Sequence, residues 1–223
     1  MTIAYDTTSN VAVSTSDLSW THTPVGTPRG VIVLISQNVS SDDQVTSVSY
    51  GGVAMTEVAG SPLAKTLGTE DGALYGYFLG TGIPTGAQTV FVTVSVPTNR
   101  RAVCYTVTAA ADTEIEDTTA TDLNATTNPS VNVTLGAGVS AFIAGVLHSG
   151  VDAVTSIASA ANCTDVLEHD HGTQCTLWNR RTNIETGAGN FAVGWTCAIS
   201  EESGILAVAI KESITWIPKA IVF

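Results

Sequence analysis

The 223-residue sequence is poor in positive charge: it has 8 Lys and Arg residues against 20 Asp and Glu, and its formal net charge is −12. Nucleic-acid binding depends mainly on basic residues that neutralise phosphates, and binding to anionic membranes also needs them. Adjacent basic residues occur as two pairs, Arg100-Arg101 and Arg180-Arg181. We therefore expect no nucleic-acid partner and no membrane partner.

The sequence also lacks long apolar runs. The longest, residues 31–35 and 205–210, fall far short of the ~20 residues of a membrane-spanning helix. The N-terminal residues have neither the basic region nor the apolar region of a secretory signal, so we expect folding in a reducing cytoplasm.

The four cysteines show no CxxC spacing. Cys175 and Cys197 alternate in phase with apolar neighbours, which indicates buried free thiols in the core. A Cys163–Cys175 bridge across a hairpin is the alternative.

The local motifs of common enzyme classes are missing: there is no Gly-x-Ser-x-Gly elbow, phosphate-binding loop or dinucleotide fingerprint. Glu114 and Glu116 are a candidate carboxylate pair, and a lectin-fold hydrolase would need such a pair in a cleft. They alternate with Ile115, however, which is the pattern of a solvated strand face. We expect a protein that is not an enzyme and has no cofactor.

His169 and His171 have a recognised metal-ligand spacing. In an extended strand both imidazoles lie on one face, where His148 or Asp165 would be the third ligand. A polar hairpin end closed by Gly172 explains the same residues, and no full ligand set is readable. We expect no metal, with these two histidines as the candidates to test.

The abundant residues favour β-structure, because β-branched side chains suit a pleated sheet and are poor helix formers. Val90, Val92 and Val94 alternate with polar or aromatic residues, whereas residues 31–35 are a continuous apolar run typical of a strand covered on both faces. Residues 141–148 and 204–211 are further candidates for buried strands. Residues 151–161 offer one short helix. About a dozen strands at this spacing predict an all-β, two-sheet, jelly-roll-like β-sandwich that occupies residues 1–211 as a single domain.

Several segments carry a resemblance to a known group of proteins. They are residues 48–56, 74–79, 84–86, 88–95, 105–107, 112–118, 128–130, 141–148 and 204–211. In these turns and strands the chain resembles jelly-roll or lectin-like β-sandwich proteins of tailed-phage virions, over roughly residues 30–211. The shared features are structural and include no catalytic signature.

The resemblance implies capsid decoration (cement), or a part of a tail or host-binding fibre. A compact chain without a fibre shaft is more similar to a cement protein. We therefore expect a module that oligomerises, most simply as a homotrimer, and binds the major capsid protein. Its place would be the capsid surface of a virion assembled in the host cytoplasm.

Residues 212–223 form an apolar C-terminal tail interrupted by Pro218. An exposed tail of this kind is an aggregation hazard unless it is covered. We expect it to dock on a partner through six apolar side chains, Ile214, Trp216, Ile217, Ile221, Val222 and Phe223.

The main alternative is a carbohydrate-binding tail or receptor-recognition module of a phage, which rests on analogy between folds. Aromatic rings with a polar tip are common sugar platforms. Tyr75 and Tyr77 share one face of a strand, and under this hypothesis they would be exposed and bind a glycan.

Overall fold

The computed structural model describes residues 3–38, 44–65, 72–150, 157–170 and 174–213. These residues form an all-β protein of antiparallel strands in several sheets that do not close into a barrel, which confirms the predicted β-sandwich class. Within them, no helix has the length and apolarity needed to cross a bilayer.

The first half of the chain is here called the first sandwich, and its described residues form ten strands. They are β1 (Ala4–Asn10), β2 (Leu18–His22), β3 (Gly30–Gln37), β4 (Val45–Tyr50), β5 (Val53–Ala54), β6 (Thr56–Glu57), β7 (Leu63–Lys65), β8 (Gly72–Leu79), β9 (Gln88–Val94) and β10 (Arg100–Thr108). The first inner sheet has the order β1-β10-β3-β8-β6 with β7 beside β8, and the first outer sheet has the order β2-β9-β4-β5. Pairing is nested, because β1 pairs with β10, β2 with β9, β3 with β8 and β4 with β5. This is a long hairpin rolled into a jelly roll.

The second half, the second sandwich, repeats this arrangement. Its strands are β11 (Thr113–Thr126), β12 (Ser130–Leu135), β13 (Ser140–Ser149), β14 (Ile157–Ser159), β15 (Cys163–Asp170), β16 (Cys175–Arg181), β17 (Glu185–Thr186), β18 (Gly189–Cys197) and β19 (Glu201–Glu212). The second inner sheet has the order β11-β19-β13-β16-β15 with β17 beside β13, and the second outer sheet is β12-β18-β14. First again pairs with last, second with second-to-last, and β13 with β16. The sequence predicts one two-sheet sandwich, whereas the structure has two.

The four sheets stack in the order outer, inner, inner, outer, with a hydrophobic core in each gap. The first core lies between the first outer and first inner sheets, and the second core between the second inner and second outer sheets. The middle core joins the two inner sheets and contains Leu34, Phe142, Trp178 and Leu206. This shared core is consistent with the single-domain prediction for residues 1–211, which stays a prediction.

The two kinds of strand pattern match the two kinds of sheet. In β3, Val31, Val33 and Ile35 enter the first core, while Ile32 and Leu34 enter the middle core. The continuous apolar run is therefore explained by burial on both faces, as predicted. In β9 of the first outer sheet, the alternating valines are buried or half-buried against the first core and the intervening residues face solvent.

One local prediction is wrong, and one alternative, the disulfide bridge, is excluded. Residues 157–159 of the segment expected to be helical form strand β14, and residues 151–156 lie outside the described part of the chain. All four cysteines are free; Cys175 and Cys197 are buried as predicted, and Cys104 is buried as well. No bridge joins Cys163 to Cys175, because they occupy opposite ends of the β15–β16 hairpin, where Cys163 pairs with Arg181 and Cys175 with Asp170.

Candidate functional site

A cavity of about 550 Å³ opens at one end of the first sandwich, between two connections of the chain. One wall is the β1–β2 connection, residues 15–17, and the other is the end of β9 with the β9–β10 connection, residues 94–97. The lining combines the hydroxyls of Thr15, Ser16 and Ser95 with the carboxylate of Asp17 and the apolar surface of Val96, which is 46% exposed. Its volume lies within the ~300–1,000 Å³ of small-molecule sites, but it is open to solvent over much of its surface, and among the described residues no aromatic side chain lines it.

The buried guanidinium of Arg100 holds the second wall of this cavity in place. Four of its N–H groups donate: to the Gln37 side-chain oxygen at 3.0 Å, the Gln44 side-chain oxygen at 2.8 Å, and the carbonyls of Val96 at 2.7 Å and Thr98 at 3.1 Å. All four acceptors are neutral. Burial lowers the pKa of Arg100 from its usual value, although Tyr75 and Asp17 partly oppose this shift.

The other wall, the β1–β2 connection, is bonded to the end of β9 and the start of β10. The backbones of Ser14 and Arg100 form an isolated antiparallel bridge, with N···O distances of 3.1 and 3.0 Å. The Asp17 Oδ1 atom accepts a hydrogen bond from the Val94 backbone at 2.9 Å. Both connections are therefore fixed by bonds beneath or beside the cavity.

The other arginines of the two basic doublets also have structural contacts. Arg101 reaches from β10 to the second sandwich, where it donates to the Glu168 carbonyl and to Nδ1 of His169 at 3.2 Å. Arg180 lies 4.1 Å from the ring centroid of Tyr5, which is a cation–π contact between the two sandwiches. Arg181 forms an ion pair with Glu185 at 2.6 Å. The basic doublets thus join parts of this chain to one another.

His22 is the centre of a buried polar chain that sequence reasoning missed. Thr106 Oγ1 donates to Asp6 Oδ2 at 3.0 Å, so its oxygen accepts from Nε2–H of His22 at 3.1 Å. Nδ1 of His22 then accepts from Ser9 Oγ at 2.7 Å, and Ser9 Oγ accepts from Trp20 Nε1 at 2.9 Å. The signal was present, since His22 lies in phase with the buried Leu18 in β2.

Hydrolase triads place a carboxylate directly on the histidine, whereas here Thr106 lies between His22 and Asp6, and burial lowers the pKa of His22 to about 4. A general base works best with a pKa near the operating pH. We therefore interpret the chain of hydrogen bonds as a clamp that joins β1, β2 and β10.

Acid is expected to destabilise the protein through His22. The folded-state pKa of about 4 lies below the unfolded value of 6.5, so the unfolded state binds the proton first as the pH falls from 6.5 to 4. Between pH 7 and pH 5 this group alone should remove about 2 kcal/mol of stability. Urea unfolding of wild type and His22→Gln at both pH values measures it. An equal pH dependence in the two proteins would contradict the assignment.

The tyrosines proposed for glycan binding are buried, so that prediction of exposure is wrong. Tyr75 is 0% and Tyr77 5% exposed. They share a face of β8, as expected, but β8 belongs to an inner sheet and that face enters the first core. Their hydroxyls bond to the backbone, with Gln44 N donating to Tyr75 at 3.2 Å and Tyr77 donating to the Val45 carbonyl at 3.3 Å.

The histidine candidates for a metal are not brought together in the described part of the chain. Nδ1 of His169 accepts from Arg101, and Nδ1 of His148 lies 3.2 Å from both Ser36 Oγ and Thr176 Oγ1. His171 lies outside the described residues. Among the residues that are described, no three His, Cys, Asp or Glu side chains gather as metal ligands would.

Glu114 and Glu116 lie on the edge strand β11 and share one cation, Lys211 of the neighbouring strand β19. Lys211 lies 3.3 Å from Glu114 and 2.6 Å from Glu116, and the Gly136 backbone donates to Glu116 at 2.9 Å. The hydrogen bonds from Lys211 and Gly136 lower the pKa of Glu116. A glycosidase acid needs a raised pKa, so Glu116 does not have the electrostatics of that acid.

The six side chains of the predicted docking tail, in residues 214–223, lie outside the described residues. Comparison of the chain with protein-family models, with curated proteins and with solved structures gave no match.

Proposed function

We propose that the protein is a structural component of a tailed-phage virion, a capsid decoration module that binds the major capsid protein. Two features support the proposal. The sequence resembles virion jelly-roll proteins, and each half of the chain has nested jelly-roll pairing. In addition, the side chains that carry chemistry, including Arg100, His22 and Lys211, are engaged in contacts within the fold.

The main observation in support is that the described strands of both outer sheets have no charged side chains. Among the described residues, no strand of either outer sheet contains Asp, Glu, Lys or Arg, although the chain has 8 basic and 20 acidic residues. Their solvent faces carry mainly Ser, Thr, Asn and Ala. Depletion of charge is the compositional mark of interface centres, and short side chains lose little entropy on contact.

Phe91 stands out on the first outer sheet. It is 38% exposed and lies between Ser19 of β2 and Ser49 of β4 in the strand register. A single aromatic ring among small residues is a typical energetic centre of a protein interface. We propose that this face contacts the capsid and that the tail of residues 212–223 adds a second contact. Oligomerisation as a homotrimer on the capsid surface is part of the same proposal.

Co-sedimentation with capsids purified without this protein tests the proposal. Four proteins are compared: wild type, the variant lacking residues 212–223, Phe91→Ser and Val25→Ser. Val25 is 85% exposed but lies outside the outer sheets, so it is the matched control for removal of an exposed apolar group. We expect wild type and Val25→Ser to pellet with capsids, and at least about tenfold weaker binding of the other two.

Circular dichroism first establishes that every variant is folded. Wild-type protein that stays in the supernatant would contradict the decoration function itself. If wild type binds and Phe91→Ser binds equally well, the outer-sheet face is not a capsid contact. If the chain lacking residues 212–223 binds equally well, the tail is not a capsid contact. Sedimentation velocity of the free protein measures its oligomeric state.

A further inference from the structure

We propose that the cavity at the end of the first sandwich is a binding site for a neutral saccharide of one or two rings. This inference goes beyond the decoration function and does not depend on it. It also places carbohydrate recognition away from Tyr75 and Tyr77, which are buried.

The two sandwiches provide an internal comparison, because they share one strand order. In the second sandwich the β11–β12 and β18–β19 connections are three residues each, 127–129 and 198–200. Thr127 and Pro129 accept backbone hydrogen bonds from Cys197 and Trp195 of β18, which closes that end. In the first sandwich the same connections are longer, residues 11–17 and 95–99, and they leave the cavity between them. The jelly roll itself therefore does not require this cavity.

One wall of the cavity is anchored by a buried cation. Arg100 is 0% exposed, and it fixes the carbonyls of Val96 and Thr98 from beneath. The position equivalent to Arg100, the first residue of the last strand, is Glu201 in the second sandwich. A wall that is ordered before a ligand arrives loses less entropy on binding. The arrangement thus has the preorganisation expected of a binding site.

The lining chemistry selects the class of ligand. Asp17 uses Oδ1 to accept from Val94, and its carboxyl group has further acceptor capacity for ligand hydroxyls. Ser16 and Thr15 add hydroxyl groups, and Val96 adds an apolar surface for the C–H face of a sugar ring. Donors on the ligand, acceptors on the protein and an apolar wall together fit a polyhydroxylated ring.

Charged ligands fit this lining poorly. Asp17 is the charged residue of the lining, and the chain carries a formal charge of −12, so an anion would be repelled. A divalent cation needs several oxygen ligands, and a single carboxylate with one oxygen already bonded does not supply them. A neutral saccharide meets neither obstacle.

Heteronuclear NMR of the full chain, titrated with glucose, galactose, N-acetylglucosamine, maltose, lactose and cellobiose, tests the inference, with glucuronate as the anionic comparison. At up to about 20 mM ligand, we expect at least one neutral sugar to shift amide resonances of residues 15–17 and 94–97. Asp17→Asn keeps the acceptor for Val94 but removes the carboxylate, so we expect about tenfold weaker binding.

Val96→Ala and Ile199→Ala form a matched pair. The two side chains are 46% and 48% exposed and lie in equivalent connections of the two sandwiches. We expect Val96→Ala to weaken binding about threefold and Ile199→Ala to leave it unchanged. The inference is overturned if no neutral sugar binds, if glucuronate binds more tightly than all of them, or if binding is unaffected by Asp17→Asn.

Discussion

Replacement of Trp178 by alanine should lower the free energy of unfolding by about 4 kcal/mol. The indole is 0% exposed, lies in the middle core and donates from Nε1 to the Leu34 carbonyl at 3.1 Å. Removal of a buried tryptophan leaves a cavity that a well-packed core fills only in part, and it also leaves a buried carbonyl without this donor. Since domains are stable by only about 5–15 kcal/mol, the effect should be easy to measure.

Urea unfolding followed by both circular dichroism and fluorescence measures this change. Trp178→Phe keeps most of the ring and loses the hydrogen bond, so we expect a smaller loss of about 1–2 kcal/mol. Phe91→Ala is the exposed aromatic control, with an expected change below about 1 kcal/mol. A loss below about 1 kcal/mol for Trp178→Ala would contradict the role of the middle core.

The same experiment tests whether residues 1–211 form a single domain. Trp178 belongs to the second sandwich, and Leu34, which accepts its hydrogen bond, belongs to the first. If the middle core couples the two sandwiches, both should unfold in one transition that shifts as a whole in the variant. Two separate transitions, with the first sandwich unaffected, would show that the sandwiches are independent domains.

Strand positions and burial were largely predictable, because the spacing of apolar residues along a strand indicates whether one or both of its faces are buried. The continuous runs at residues 31–35 and 205–210 are in inner strands, and the alternating Val90 and Val92 are in an outer strand. The same logic failed for Tyr75 and Tyr77. Alternation shows that two side chains share a face of a strand, but it does not show whether another sheet covers that face.

The duplication of the jelly roll was not visible in the sequence. The strands β3 and β13 occupy equivalent places and are both buried, yet the first reads GVIVLISQ and the second SAFIAGVLHS. A buried strand needs apolar side chains of suitable volume but no particular order of them. Repeated topology can therefore exist without repeated motifs, and only the pairing of strands far apart in the chain reveals it.

The candidate binding site was not predictable either, because it depends on contacts between residues far apart in the sequence. Asp17 and Val94 are 77 residues apart in the sequence, and their hydrogen bond depends on the nested pairing of β2 with β9. One component was readable locally, because Arg100 lies in phase with Ala102 and Cys104, both in the first core. A charged residue in phase with core positions indicates a buried polar network, since an unpartnered buried charge is too costly.

Replacement of Arg100 by methionine should destabilise the protein by about 3 kcal/mol. Methionine fills much of the space of the arginine stem and removes the cost of burying a cation. However, the side-chain oxygens of Gln37 and Gln44, at residues that are 0% and 6% exposed, both lose the Arg100 donor. The carbonyls of Val96 and Thr98 lie closer to solvent, and water can replace the guanidinium there.

The hydrogen-bond acceptors of Arg100 decide whether the substitution raises or lowers the free energy of unfolding. Loss of a donor to a buried polar group costs about 1–3 kcal/mol for each group, and here two such groups are affected at once. Because no acceptor is a carboxylate, the substitution leaves no buried charge behind, so the loss should stay below that of a broken buried ion pair. Arg100→Lys keeps the charge with a different donor geometry and should be intermediate.

Urea unfolding of wild type, Arg100→Met, Arg100→Lys and Arg101→Met measures these changes. Arg101 is the matched control, because it neighbours Arg100 on β10 but is partly exposed and forms longer bonds of 3.2–3.5 Å. We expect its loss to be about 1 kcal/mol. Hydrogen exchange should also accelerate at the Ser95 amide, which donates to the Gln44 carbonyl beside the cavity. If Arg100→Met were as stable as wild type, burial of the cation would cost as much as its four hydrogen bonds return, and Arg100 would not be what holds this wall of the cavity.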